Sequence, residues 1–174
     1  MSHKKYLVVL LSTFFCLLVG CSPPALPSPP ESTTPMPFSK LYPVKDLNKS
    51  ISLDLNQAIK SDLKSGSNVF LQVQNQSDQQ IWFDPDWQLR IYQSVSTGGD
   101  MWQLVRNGVQ YAGEGIVLYP KSGGGATTYS IVFIPLLDAP QSTTVRVVVT
   151  GQVYKNKTKT GVPVSAYADM TINP

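Results

Sequence analysis

Alternation of apolar and polar residues at every second position is the feature that most narrows what this chain can become. Ile51, Leu53 and Leu55 alternate with Ser52 and Asp54; Val69, Leu71 and Val73 alternate with Phe70, Gln72 and Gln74; Leu89 and Ile91 alternate with Arg90 and Tyr92. Successive side chains on a strand point to opposite faces, so this period marks strands with one face buried and the other wet. Further strand-like runs span Met101 to Val105, Gly115 to Tyr119, Thr128 to Ile134, Thr144 to Tyr154 and Val164 to Ile172, the last with Met170 and Ile172 expected to face inward. The punctuation between them, at 75–79, 97–100, 106–108, 121–125, 137–142 and 155–161, is polar or glycine-rich and reads as turns. Only Gln57 to Lys64, with Ile59 and Leu63 four apart, hints at a helix of one or two turns. Strands with regular turn signals and almost no helix predict an all-β antiparallel sandwich.

The stretch Val69-Phe-Leu-Gln-Val-Gln-Asn-Gln-Ser77, preceded by Gly66 and followed by Ile81-Trp-Phe, resembles the second strand and turn of immunoglobulin-like domains in secreted bacterial proteins. In pattern the resemblance extends over residues 44–174, and it implies an immunoglobulin-like β-sandwich of about 7 to 9 strands. The absence of a cysteine pair departs from antibody-type domains.

Ahead of this body the chain has a different character. Lys4 and Lys5 precede a run from Tyr6 to Val19 in which Ser12 and Thr13 are the only polar interruptions. The run falls short of the roughly 20 apolar residues that a membrane-spanning helix needs, and Pro23 and Pro24 follow at once. Residues 1–20 therefore read as a signal peptide. The segment Leu18-Val-Gly-Cys21 resembles the lipobox of bacterial lipoproteins. That resemblance implies cleavage before Cys21, a diacylglycerol on its sulfur, and a membrane anchor of acyl chains such as palmitate, with no spanning segment after processing. Ser22 stands where an Asp would imply retention at an inner membrane. The resemblance thus implies the outer membrane of a two-membrane envelope, or otherwise the outer face of the cell membrane. Residues 21–43 hold eight of the chain's 14 prolines and read as a disordered tether. At about 3.1 Å per residue, some twenty extended residues reach on the order of 60 Å.

Removing residues 1–20 takes two of the 14 basic side chains and none of the 11 acidic ones, leaving 12 against 11 and a net charge near +1. No basic stripe follows a phosphate backbone, which argues against nucleic acid as a partner. Lys155, Lys157 and Lys159 are expected to solvate one face of a hairpin end. Cys16 and His3 leave with the leader and Cys21 is the expected lipid acceptor, so neither a Ser-His-Asp triad, a Cys-His dyad nor an ordinary zinc site can be assembled. No cofactor or metal is expected, and enzyme chemistry is confined to carboxylates, lysines and tyrosines.

The densest cluster of chemistry is Trp82-Phe-Asp-Pro-Asp-Trp87. Trp82 and Trp87, with Trp102 further on, could stack on a sugar ring or a peptide while Asp84 and Asp86 accept hydrogen bonds. Alternatively Pro85 fixes a turn, Asp84 caps it, and the aromatics fill the core, which is the commoner use of large rings in small sandwiches. The spacing lacks a D-x-D-x-D-G calcium loop, and Asp84 and Asp86 lie too close in sequence to flank a glycoside by themselves. Gly123-Gly-Gly125 lacks the spacing of a phosphate loop and reads as a hairpin turn. Tyr111, Tyr119, Tyr129, Tyr154 and Tyr167 read as core or sheet-face residues. Together these features point to a non-enzymatic, membrane-anchored envelope module that binds another envelope protein. The alternatives are a glycan- or peptidoglycan-binding module centred on the three tryptophans, and a carboxylate-based hydrolase.

Overall fold

A computed structural model describes residues 34–42, 45–55, 63–95, 100–105, 109–112, 114–135, 137 and 140–174. The expected signal peptide, Cys21, the first part of the tether and residues 57–62 of the expected helix lie outside them. In chain order the elements are β1 (Met36–Pro37), α1 (Phe38–Leu41), β2 (Ile51–Leu55), β3 (Leu63–Lys64), β4 (Val69–Asn75), β5 (Gln80–Phe83), β6 (Arg90–Ser94), β7 (Met101–Leu104), β8 (Val109–Ala112), β9 (Ile116–Leu118), β10 (Thr128–Pro135), β11 (Thr143–Lys155) and β12 (Thr158–Asn173).

The strands form two sheets. The smaller runs β2-β4-β10-β8, and the larger runs β1-β7-β6-β11-β12-β3, with β5 continuing along β11 beyond β6 and carrying β9 on its far side. Named strands pair antiparallel except β3, which runs parallel to the end of β12. The smaller sheet has the A-B-E-D neighbour order of an immunoglobulin-like sandwich, and β7, β5/β6, β11 and β12 take the C′-C-F-G order of its partner. The expected antiparallel immunoglobulin-like sandwich is thus the architecture found. Its strand count exceeds the expected 7 to 9 because one strand is split into β5 and β6, and because β1, β3 and β9 are additions of two or three residues.

Period two does the work that the sequence promised. Val69, Leu71 and Val73 of β4 point inward with Ile131 and Phe133 of β10, and meet Ile91, Val145, Val147, Met170 and Ile172 from the larger sheet. Asn75, at the end of β4, is wholly buried. Its amide donates to the carbonyls of Gln79 (2.7 Å) and Leu118 (3.1 Å), and its Oδ1 accepts from the Ser77 backbone N–H (2.9 Å) and hydroxyl (2.8 Å). One side chain therefore shapes the β4–β5 turn and ties the two sheets together.

Two expectations are corrected. The tether does not continue to residue 43: Met36–Pro37 pairs with β7, and Phe38, Leu41 and Tyr42 are buried against the outer face of the larger sheet. Three large apolar side chains in five residues give this segment more to gain by docking than by remaining solvated. Leu63 and Lys64, placed by their spacing at the end of a helix, instead form β3, where Leu63 joins the core.

At β11 the larger sheet is buried on both faces. Val147, Val148 and Val149 are all fully inaccessible, with Val147 and Val149 in the main core and Val148 under the N-terminal segment. Gly151 follows, where β5 crosses so closely that a Cβ would lie 2.8 Å from the Trp82 carbonyl oxygen and 2.9 Å from the Phe83 ring. Backbone and core ring cannot both yield, so Gly151→Ala is expected to destabilise the domain by about 1–3 kcal/mol, read as a lower urea midpoint at unchanged slope.

Candidate functional site

The Trp82–Trp87 segment interrupts a single strand line along β11. β5 pairs as Trp82 opposite Gln152 and β6 as Arg90 opposite Val148, and the residues between them loop out of the ladder. Two overlapping turns build the loop. The Trp87 N–H donates to the Asp84 carbonyl (2.8 Å) with Pro85 inside that turn, and the Leu89 N–H donates to the Asp86 carbonyl (3.1 Å). Trp87 and Gln88 occupy the second turn at φ 51° and 42°, so both are left-handed. A bulky residue is rarely found there. Asp86 supports the turn by accepting the Gln88 N–H (3.0 Å), and the Trp87 carbonyl returns to β11 by accepting the Thr150 N–H (3.1 Å).

The three tryptophans go to three different places. Trp87 is fully buried in the main core, stacked on Phe83 (4.4 Å between ring centroids) and Tyr129 (5.5 Å), with its Nε1 donating to the Glu114 carbonyl (3.0 Å). Trp102 is buried beneath the N-terminal segment, with its Nε1 donating to Asp100 (2.9 Å). Trp82 alone is half-exposed, on the outer face of the larger sheet near the β11–β12 hairpin end. A binding platform of three indoles is therefore not assembled: Trp87 and Trp102 serve packing.

Around Trp82 there is a compact polar cluster. Its Nε1 donates to Asp84 Oδ1 (2.9 Å), its ring is 5.6 Å from that of Tyr154, and Lys159 Nζ lies 5.1 Å over it while also bonding Asp84. Lys159 thus departs from its expected solvating role, whereas Lys155 and Lys157 are exposed at the hairpin end, where Asn156 and Lys157 make a two-residue turn at φ 51° and 60°. Partial burial opposes ionisation of Asp84. Hydrogen bonds from Lys159 and Trp82, together with the lysine charge, outweigh it and hold the carboxyl below the usual carboxylate range. A general acid requires the opposite shift, so Asp84 is built as a structural anion. Asp86 spends its side chain on the turn. The glycine run forms the loop between β9 and β10, where a Cβ on Gly125 would strike the Tyr119 ring.

Residue spacing did not reveal a second cluster, which is centred on Arg146. Its guanidinium makes a two-pronged contact with Asp169 (2.7 and 2.8 Å) and lies 4.5, 4.2 and 4.0 Å from the ring centroids of Phe38, Trp102 and Tyr167. Arg146 and Asp169 are cross-strand partners in the β11–β12 hairpin, a pairing that becomes visible only once the register is known. Beside them the Tyr42 hydroxyl bonds Thr150 and Ser165, the latter at 3.0 Å. Burial raises the Tyr42 phenol above its ordinary range despite those bonds, and burial followed by the nearby Tyr42 raises that of Tyr92.

No family model and no curated protein matches the chain. Solved structures that resemble it include the PapD-like domain 7 of human CEP192, at 10% identity over 70% of this chain and 83% of that one, with a TM-score of 0.38. The class 5 fimbriae chaperone CfaA resembles it at 16% identity over 69% and 54%, with a TM-score of 0.41. The sporulation control protein Spo0M of Bacillus subtilis does so at 16% over 72% and 50%, with a TM-score of 0.38. The chain thus spans about half the length of the last two.

The Asp84 anion gives a signed pH dependence. Its folded-state carboxyl ionises more readily than the unfolded one, so its contribution is fully present above about pH 4, the unfolded value, and is lost as pH falls through the lower folded value. Asp84→Asn is expected to cost up to about 1 kcal/mol at neutral pH, since the pair is partly solvated. The urea midpoints of variant and wild type should converge in acid.

Proposed function

We propose that this chain is a lipid-anchored envelope protein whose sandwich is a non-enzymatic module for binding another envelope protein. The observation that carries the reading is the contrast between its two outer faces. On the larger sheet the N-terminal segment lies down from Met36, so that any anchor upstream pulls from that side. On the opposite, smaller sheet Phe70 stands 44% exposed near the start of β4, directly opposite Val132 of β10, on a face it shares with Gln72, Gln74, Ser130, Thr128 and, across the β2 pairing at Gln72, Asp54. An exposed aromatic flanked by an aliphatic and set among amides and hydroxyls, with a single carboxylate, Asp54, beside Gln72, has the composition of an interface centre.

Acylation at Cys21 would leave 14 residues, 22–35, between the lipid and the docked segment. At about 3.1 Å per residue they span on the order of 40 Å, shorter than a tether running to residue 43 would give. The body would then stand at the outer membrane of a two-membrane envelope, or at the outer face of the cell membrane, with the Phe70 face available. Of the three tryptophans, Trp87 and Trp102 are buried and a cell-wall glycan would have the half-covered Trp82 alone to stack on, which favours the protein partner.

Two measurements test the reading. Intact-mass analysis of the protein from its host should show a chain beginning at an acylated Cys21, and Cys21→Ser should move it from the membrane to the soluble fraction; a chain that retains residues 1–20 contradicts the anchor. A photo-cross-linking residue at Gln72 should capture a protein partner in cells, and Phe70→Lys should abolish that capture while changing stability by no more than about 0.5 kcal/mol. Capture unaffected by Phe70→Lys would remove this face from the proposal.

A further inference from the structure

The segment from Met36 to Tyr42 lies as a strap across the outer face of the larger sheet, and it is unevenly held. Its strand β1 offers only two register positions, Met36 opposite Trp102 and Pro37 opposite Met101, and Pro37 has no N–H to give to the ladder. No side-chain cap closes its single helical turn. Attachment therefore falls to side chains. The Phe38 ring meets Tyr92 edge-on at 5.4 Å and Tyr167 at 5.6 Å, and faces the Arg146 guanidinium; Leu41 is fully buried; and Tyr42 reaches the hydroxyls of Thr150 and Ser165.

One group under the strap is left unmatched. The Tyr92 hydroxyl is buried and has no hydrogen-bond partner among the described residues. A phenol that could bond water with the strap raised loses that bond when the strap is down, so closure carries an opposing cost. The strap is thus a ligand with real anchors, a minimal backbone ladder and a built-in penalty. Beneath it lie Tyr92, Trp102, Arg146, Val148 and Tyr167, with the arginine charge already balanced by Asp169.

We propose that this seat is a peptide-binding groove and the strap its displaceable occupant. The groove takes, from a partner protein, a one-turn segment with an aromatic residue, an aliphatic three positions later and an aromatic next to it, the pattern of Phe38, Leu41 and Tyr42. The occupant seen in place defines the chemistry: aromatic rings fit because the guanidinium and three rings offer faces and edges to them, and an acidic segment is disfavoured because Asp169 already occupies Arg146. Because the strap is tethered, its effective concentration screens the groove from weak ligands. A partner segment that also places an acceptor against the Tyr92 hydroxyl gains a bond the strap does not make. The inference does not depend on the Phe70 face, which belongs to the other sheet.

The test uses the whole mature chain with Cys21→Ser and a fluorescent synthetic peptide of residues 34–45, followed by fluorescence polarisation. Phe38→Ala combined with Leu41→Ala, which weakens the strap without touching the groove, should bind the peptide about tenfold or more tighter than the unaltered strap does, a change equal to about 1.4 kcal/mol. A sequence-scrambled peptide should not bind. A second variant, Pro37→Cys with Met101→Cys, joins register partners. Its oxidised form should exclude the peptide, and its reduced form should admit it again. A folded double-alanine variant that binds no better than wild type, or a locked strap that binds as well as the reduced one, overturns the proposal. Loss of folding in the alanine variant leaves the oxidised and reduced pair to decide it. Failure here with partner capture at Gln72 intact would leave the Phe70 reading standing.

Discussion

β11 is the constraint from which the rest of the structure follows. A strand at the edge of a small sandwich can leave one face in water, but β11 runs through the middle of the larger sheet with three consecutive valines inaccessible. Fully burying a valine is worth about 1.5–3 kcal/mol, and that gain is realised only if both faces are covered. The smaller sheet covers one, through Val69, Leu71, Ile131 and Phe133. The other is covered by a segment that composition assigns to a tether, and the docking of Phe38, Leu41 and Tyr42 follows from this need as much as from their own hydrophobicity.

The same strand explains the strained loop. Where β11 passes Thr150 and Gly151, its neighbour β5 comes too close for any side chain, and the ladder is broken between β5 and β6. The looped-out residues return Trp87 to the core from a left-handed backbone, a conformation that costs on the order of 1–3 kcal/mol for such a residue. Stacking on Phe83 and Tyr129, each pair worth about 0.5–1.5 kcal/mol beyond area burial, offsets it. The hydrogen bonds from Trp87 Nε1 to Glu114 and from Thr150 to the Trp87 carbonyl add to that support.

Legibility in the sequence followed the range of the interactions. The strands at 51–55, 69–75 and 128–135 were readable because period two is a local property, and so was the turn at Pro85. The inward facing of Met170 and Ile172 was readable for the same reason. Arg146 was not singled out, since its meaning comes from Asp169 across the hairpin and from Phe38, more than a hundred residues earlier in the chain. Lys159 read as one of three alternating lysines until the loop at 82–87 folded Asp84 against it. The strap was hidden by its setting: proline at 35, 37 and 43 signals an extended tether, and only the rings at 38 and 42 with Leu41 between them argue otherwise.

The asymmetry of the two outer faces bears on how the domain meets others. On the smaller sheet a single ring, Phe70, is set among glutamines, serine and threonine, so the face stays wet at modest cost while keeping one anchor for a partner. On the larger sheet Tyr92, Trp102 and Tyr167 gather around Arg146, and an open surface of that kind would bind indiscriminately or aggregate. Covering it with a short segment of the same chain solves that problem without a third layer of structure. Because the cover is held by side chains over a ladder of only two residues, raising it would take from the larger sheet only the short β1–β7 pairing. The face needed for stability and the face most able to bind can therefore be the same one, used at different times.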